Sequence, residues 1–448
     1  FEPHQPPHPI WRVYKISCKP FLFISILNQA SQTFNTAIDI VYLWVNGNDG
    51  EWRAKREKYA QKLEATGNLS FAKFGNVEGR YRDNDELRFS LRALEKFFPE
   101  HGHIYIVTDG QVPDWFQASD QITLVDHHQL IPHSSLPTFD SGNIESYIHH
   151  IPGLSERYFY LNDDVFFGAP VCLENWFSEK GFFVSWSDEP EVIGNKLKAE
   201  STSLENASRL SKQWLQTKAD NSNTQADSSV RKMNTQYLHT ARTFSHSPRP
   251  MLKSVMMEIE RDAPELFERV RSTVFRTWNK PTIISDFVLR WALAHGLAKT
   301  IDHSHLYIAT GQSLETKSLQ HLKKQFGCLD FFCINDTTDD AHDGDPRLLQ
   351  VRQMLKTLLP NSSQNEMASS QDGNAVQALK FKQPLGMAVW ELQNSSPFWG
   401  TIDGQYQIHV FNPQESLKMT ATKTKSASPR QSKQLTVELM WQLQRLGA

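Results

Sequence analysis

From Ile38 onward the apolar positions follow two alternating rhythms: short solid runs, and longer stretches with apolar residues three and four apart. "IDIVYLWV" is of the first kind and predicts a buried strand that ends in the turn "NGNDG". "ELRFSLRALEKFF" is of the second kind: Leu87, Leu91, Leu94 and Phe98 form one stripe, with Arg88, Arg92, Glu95 and Lys96 outside it. "HIYIVTDG" and "QITLVD" predict further strands, "NIESYIHHI" a short helix, "RYFYLNDDVFF" a strand running into a turn, and "GFFVSW" one more strand. Strands separated by helices predict an α/β domain, a mostly parallel sheet flanked by helices, with ligands at the carboxyl ends of the strands.

After "GFFVSW" the stretch from Gly194 to Thr235 is polar and rich in Ser, Asn, Gln and Lys, which predicts a surface insertion with some helix. Helical spacing resumes at "MLKSVMMEIERDAPELFERV", where Leu252, Val255, Met256 and Ile259 share a face, and again at "ISDFVLRWALAHG". Beyond Asp340 the chemistry thins. Asn361 to Asn374 reads as a linker, "GQYQIHVF" as a strand and "KQLTVELMWQLQRL" as a terminal amphipathic helix. The chain thus divides into an N-terminal segment (1–37), a main domain (38–340, with the insertion at about 194–235) and a C-terminal extension (341–448).

Composition narrows the classes. The chain has 448 residues, 39% hydrophobic and 22% charged, enough to bury a large core. A net charge of -3 argues against a broad nucleic-acid-binding surface. Four cysteines are too few and too scattered for a disulfide framework or a zinc site of paired short spacings, and Cys328 with Cys333 reads either as one bridge or as two buried thiols. "FLFISIL" falls far short of the roughly 20 residues that span a bilayer, so no membrane span is expected. The sequence begins at Phe1, which leaves open an upstream signal or anchor.

Four polar turns follow apolar strands: "WVNGND", "VTDGQ", "VDHH" and "LNDDV". Asn, Asp and Gly serve tight turns for conformational reasons alone. The pair Asp163 and Asp164 asks for more, because adjacent like charges at a strand end repel unless a cation or basic group compensates them, and Mg²⁺ between carboxylates and phosphates is the usual solution. "GRYRDNDELRFSLR" places Arg80, Arg82, Asp83, Arg88 and Arg92 near a helix start, which suits a phosphate or, equally, a capped and solvated helix. His246 and Arg276 lie in Pro-marked loops. A G-x-x-x-x-G-K-[ST] loop, a G-x-G-x-x-G turn after a strand and a G-x-S-x-G elbow are all missing, which removes the main support for kinase, dehydrogenase and α/β-hydrolase readings.

"DIVYLWVNGND", "RYRDNDELRFSLRALEKFFPEHGHIYIVTDGQVPDWF", "LPTFDSGNIESYIHHIPGLSERYFYLNDDVFFG", "SHSPRPMLKSVMMEIERDAPELFERV" and "CLDFFCINDTTDD" resemble, in this order, the conserved regions of the Stealth family. That family contains bacterial capsular polysaccharide phosphotransferases and the catalytic subunit of animal N-acetylglucosamine-1-phosphotransferase. The resemblance covers about Asp39 to Asp340 with breaks and leaves the last quarter unaccounted for.

The resemblance implies a Rossmann-like, GT-A-like nucleotide-sugar transferase domain. It implies an enzyme that moves a hexose 1-phosphate, such as GlcNAc 1-phosphate, from a UDP-GlcNAc-like donor onto a hydroxyl of a carbohydrate acceptor, forming a phosphodiester. The family's catalytic positions fall here on Glu145, Asp164, His246 and Arg276. Asp163, Asp164, Asn335 and Asp336 are implied near a Mg²⁺ (or Mn²⁺) ion and the pyrophosphate. Asp39, Trp44, Asn46 and Gly47 are implied at the nucleotide end, with Arg80, Arg82 and Asp83 on the donor. In many relatives an aspartate follows the motif arginine, whereas here Arg276 is followed by "TWNKPTIISD", with Asn279 and Lys280 in that place and Asp286 as the nearest substitute. Two other readings stand beside this one: a metal-dependent glycosyltransferase that moves the sugar alone, and a non-catalytic carbohydrate-binding relative. A homodimer is left open. Location follows origin: the cytoplasm for a bacterial chain, the Golgi lumen for a eukaryotic one.

Overall fold

The computed structural model describes residues 37–67, 70–224, 242–311, 315–342 and 344–367, and the backbone of five short strands between 380 and 423. The chain runs through β1 (Asp39–Leu43), α1 (Gly50–Ala65), α2 (Glu86–Phe97), β2 (Ile104–Thr108) and β3 (Ile122–Asp126). The short helices α3 (His127–Leu130) and α4 (Ser141–Glu145) precede β4 (Arg157–Asn162), β5 (Val165–Phe167) and β6 (Phe182–Val184). Next come α5 (Ser203–Thr224), β7 (Arg249–Leu252), α6 (Lys253–Asp262), α7 (Pro264–Arg271), a π-helical turn (Ile283–Phe287) and α8 (Val288–Ala294). β8 (Ala298–Thr300), β9 (His305–Thr310), α9 (Glu315–Gln325), β10 (Phe331–Asp336) and α10 (Pro346–Leu358) follow.

The main sheet has the order β3-β2-β1-β4-β7. Its first four strands are parallel and β7 lies antiparallel at the edge. The α/β reading of the sequence holds. All five residues of β1 are buried, as a central parallel strand covered on both faces requires. Because β2 and β4 flank β1, the chain changes direction there and leaves a crevice at the carboxyl ends of β1 and β4. β7 is a correction: "RPML" forms a strand, and Leu252 ends it instead of opening α6. Pro250 lacks an N–H and is tolerated because β7 is an edge strand.

A second sheet, β5-β10-β9, begins immediately after β4. Asp163 and Asp164 are the two residues between β4 and β5, so their turn is fixed at the junction of the two sheets, where Ile334 N donates to the Asp164 carbonyl at 3.0 Å. Helix α2 bridges the sheets: its Ser90 hydroxyl lies 2.9 Å from Tyr42 Oη on β1 and donates to the Val165 carbonyl on β5 at 2.7 Å.

Two expected boundaries move. The polar stretch from Gly194 contains α5, which is packed, not a loose insertion: Asn206, Ala207, Arg209, Ser211 and Leu215 are buried, and Ser208 accepts Arg290 Nη2 at 2.9 Å. Its polar residues satisfy one another inside the fold, a pattern that composition cannot distinguish from solvation. The main domain also continues past Asp340. Glu366, its side chain fully buried, accepts Arg88 Nε and Arg92 Nε at 2.5 Å each. Residues 361–367 therefore pack on α2 instead of opening a linker, and Arg88 and Arg92 are withdrawn from any phosphate. A strand at Tyr406–Val410 lies within "GQYQIHVF". The expected terminal helix and residues 1–36 lie outside the described residues.

Candidate active site

Residues two apart on a strand face the same side, and β4 uses this to lay a polar floor at its carboxyl end. Tyr160 Oη lies 3.0 Å from Glu145 Oε1 on α4 and 2.6 Å from Asn162 Oδ1. Asn162 Nδ2 lies 3.1 Å from His246 Nε2, which is 3.3 Å from Asp164 Oδ1. Asp164 Oδ2 accepts Asn335 Nδ2 at 3.0 Å and Cys333 Sγ at 3.4 Å. Glu145, Tyr160, Asn162, His246, Asp164 and Asn335 thus form one continuous polar chain. It runs along a cleft of about 200 Å³ that Trp44, Arg80, Asp163 and Arg276 also line.

One side of this floor is acidic. Asp163 faces Asp83 and Asp164, and burial with those two charges raises its pKa well above the ordinary carboxylate range. Burial, then Asp83 and Asp163, do the same to Glu86. Burial followed by Asp85 pushes Asp83 up to about 6. Among the described residues no basic side chain forms an ion pair with Asp163, Asp83 or Glu86. Oxygen ligands that repel one another in a partly enclosed cleft fit a hard divalent cation, and Asp163 and Asp164 could hold one. Glu86 is a member that sequence reading missed, since an acid in a first helical turn has an ordinary explanation.

The other side is basic. Arg276 Nη2 and Arg80 Nη2 both donate to Ser141 Oγ, at 2.5 and 3.0 Å. Burial and then Arg80 depress the Arg276 pKa, and Arg80 Nε is buried with no hydrogen-bond partner among the described residues. Two guanidiniums brought to one hydroxyl, with donors to spare, suit an anion. Glu145 closes this end: it is buried, and its Oε2 has no partner among the described residues.

The acid expected after the motif arginine comes from elsewhere. Asp140, fully buried, takes Lys280 Nζ and Thr273 Oγ1 on Oδ2, and its Oδ1 lies 3.7 Å from Arg276 Nε. Burial opposes its charge, but Lys280 and Arg276 prevail and hold its pKa down to about 2. Asp286 is not the substitute. It pairs with Arg290 Nε at 2.9 and 3.0 Å inside the core.

The residues around the first motif divide between loops and cleft. Asp39 stands at the amino end of β1, away from the cleft, where its oxygens accept His103 N at 2.9 Å and Ser155 N at 2.8 Å; it ties loops and does not meet a nucleotide. The Asn46 backbone is held by Gln111, its Oδ1 accepts Asn48 N at 2.9 Å, and a side chain at Gly47 would meet Tyr81 O at 2.4 Å, so both shape the turn after β1. Trp44 lines the cleft and donates Nε1 to Asp83 Oδ2 at 3.2 Å. Arg82 and Asp336 line it as well but are committed to each other at 2.5 Å. The remaining Asp336 contacts, from Asn84 and Thr338, leave it poorly placed to hold a metal. Cys328 and Cys333 are not bridged.

Comparison with known proteins gives the chain's relatives. Residues 36–64 match Stealth protein CR1, conserved region 1, and residues 80–184 match Stealth protein CR2, conserved region 2. The chain is 32% identical over 314 residues to the capsular polysaccharide phosphotransferase fcs1 of Haemophilus influenzae, covering 69% of this chain and 81% of that one. It is 34% identical over 329 residues to the exopolysaccharide phosphotransferase CpsY of Mycobacterium tuberculosis, covering 72% of this chain and 57% of that one. The chain belongs to the Stealth family. It spans only 33%, 51% and 57% of the length of three of the curated relatives it matches. A crystal structure of the galactosyltransferase LgtC with donor and acceptor sugar analogs superposes with a TM-score of 0.34 at 8% identity, over 71% of this chain and 96% of that one, a likeness too slight to bear on the reaction.

Proposed function

We propose that this cleft transfers a sugar 1-phosphate from a nucleotide-diphosphate sugar to a hydroxyl of a saccharide, as the names of the chain's relatives suggest. The observation that carries the reading is the division of one cleft into an acidic and a basic side joined by His246 and Glu145. The acceptor oxygen attacks the β-phosphorus, a new O–P bond forms, and the bond from that phosphorus to the bridging oxygen breaks. The nucleoside monophosphate leaves with the electron pair. Arg276 and Arg80 neutralise charge on the transferring phosphoryl group, the part of such a reaction that a protein stabilises most. His246 receives the acceptor proton: its Nε2 has an amide on one side and the Asp164 carboxylate on the other, so it can take up or release a proton without moving. Glu145, with a free oxygen in basic surroundings, is the second candidate for this role. Asp163, Asp164 and the Asn335 carbonyl, backed by Asp83 and Glu86, would hold Mg²⁺ or Mn²⁺, which when bound screens pyrophosphate charge.

A UDP-GlcNAc-like donor and a glycan acceptor are the proposed substrates. The competing reading is a glycosyltransferase that attacks the anomeric carbon. Product analysis separates the two: with a panel of nucleotide sugars, Mg²⁺ and saccharide acceptors, nucleoside monophosphate is expected, whereas nucleoside diphosphate supports the alternative. Release of neither with any common donor counts against both.

A further inference from the structure

Cys333 is a buried thiol that the proposed reaction does not use, yet it donates to a carboxylate on the floor of the cleft. Its neighbours form a set that shares only Asp164 with the oxygen-only acidic side. Asp164 after β4, His246 before β7 and Cys333 on β10 come from three separate segments, and one ligand atom from each lies within 4.8 Å of the others. The side chains of His246 and Asp164 are 24% and 15% exposed, which leaves an approach from the cleft.

We propose that Cys333, His246 and Asp164 form a binding site for a thiophilic divalent ion of the Zn²⁺ class. With metal–oxygen and metal–nitrogen bonds near 2.0 Å and metal–sulfur near 2.3 Å, tetrahedral ligands sit apart by roughly 3.3 Å for nitrogen and oxygen and roughly 3.5 Å for sulfur and oxygen. The corresponding separations here are 3.3 Å and 3.4 Å, to the two oxygens of one carboxylate, and the sulfur and nitrogen lie within 4.8 Å of each other, so an ion would draw in the set by a turn of Asp164 and an approach of His246 to Cys333. A nitrogen, a sulfur and an oxygen favour Zn²⁺ over Mg²⁺, which takes oxygen ligands. On binding, a metal–thiolate bond forms and the Cys333 proton leaves to solvent.

A second cluster, His149, His150 and Glu260, lacks this promise. Glu260 already pairs with Arg271, a cation that opposes a second one. Asp164 has no Arg or Lys ion-pair partner among the described residues. If the transferase reading holds, an ion at Cys333 occupies both His246 and Asp164, so Zn²⁺ excludes transfer.

The test requires no turnover and so stands or falls apart from that reading. The full chain, stripped of Mg²⁺, is titrated with Co²⁺, whose bonds to thiolate give a near-ultraviolet charge-transfer band. A band that Zn²⁺ displaces is expected, lost in Cys333→Ser, at least about tenfold weaker in affinity in His246→Ala, and retained in Cys172→Ser and Cys328→Ser, as expected for loss of one ligand. No band in the wild-type chain, or one that survives Cys333→Ser, overturns the proposal. Should Cys333→Ser fail to fold, His246→Ala and Asp164→Asn decide: a thiolate band weakened in both supports the site, and a band unchanged in both overturns it.

Discussion

Asp140 Oδ1 lies 3.7 Å from Arg276 Nε, while its Oδ2 receives Lys280, so one buried carboxylate holds two cations of which only Arg276 lines the cleft. The relationship makes a stability prediction. Its pKa of about 2 is depressed from 3.8, so the stabilisation is complete above about pH 4 and is lost as pH falls through 2. A shift of that size corresponds to roughly 2 to 3 kcal/mol. Urea unfolding of Asp140→Asn against wild type should show a deficit of this order or larger at pH 6 that narrows below about pH 4. A deficit independent of pH would contradict the pairing.

His246→Ala should lower kcat by roughly 10²- to 10⁴-fold while leaving the melting temperature nearly unchanged, because a partly exposed ring is removed without opening the core. Asn162→Ala should give a smaller loss, since that amide links Tyr160 to His246 and takes no proton itself. Steady-state kinetics and circular-dichroism melts check both.

The acidic side predicts opposite signs with and without a cation. Ionised Asp163 is repelled by Asp83 and Asp164, so without a divalent ion Asp163→Asn should melt higher than wild type. Mg²⁺ at a hundred times its dissociation constant should stabilise wild type by about 2.7 kcal/mol, and the variant by much less. Equal Mg²⁺ stabilisation in both would place the cation elsewhere.

Glu366→Ala leaves Arg88 and Arg92 facing an empty pocket and should cost about 3 kcal/mol or more in denaturant unfolding. A chain cut after Asp340 should lose at least as much, although the sequence suggests that boundary.

What could be read in advance was what local pattern encodes. β1, β2, β3 and β4 are apolar runs with turn residues at their ends, and the motifs around Glu145, Asp164, His246 and Arg276 converge on one cleft. What could not be read depends on distant partners. Asp140 answers Arg276 across 136 positions, and Glu366 answers Arg92 across 274. Glu86 looks like a helix-start acid until the fold sets Asp163 beside it. Asp39 and Trp44 share a motif, but they stand at the amino and carboxyl ends of β1, so only Trp44 reaches the cleft. Polar residues in α5 looked exposed because their burial depends on distant partners, such as Arg290 for Ser208 across 82 positions.

The most direct test of the central claim follows the β-phosphorus of the donor. With nucleotide sugar labelled there, Mg²⁺ and a saccharide acceptor, the label should pass into the acceptor as a phosphodiester, and Arg276→Ala should abolish the transfer. Label that stays with the nucleotide while the sugar moves would contradict the claim.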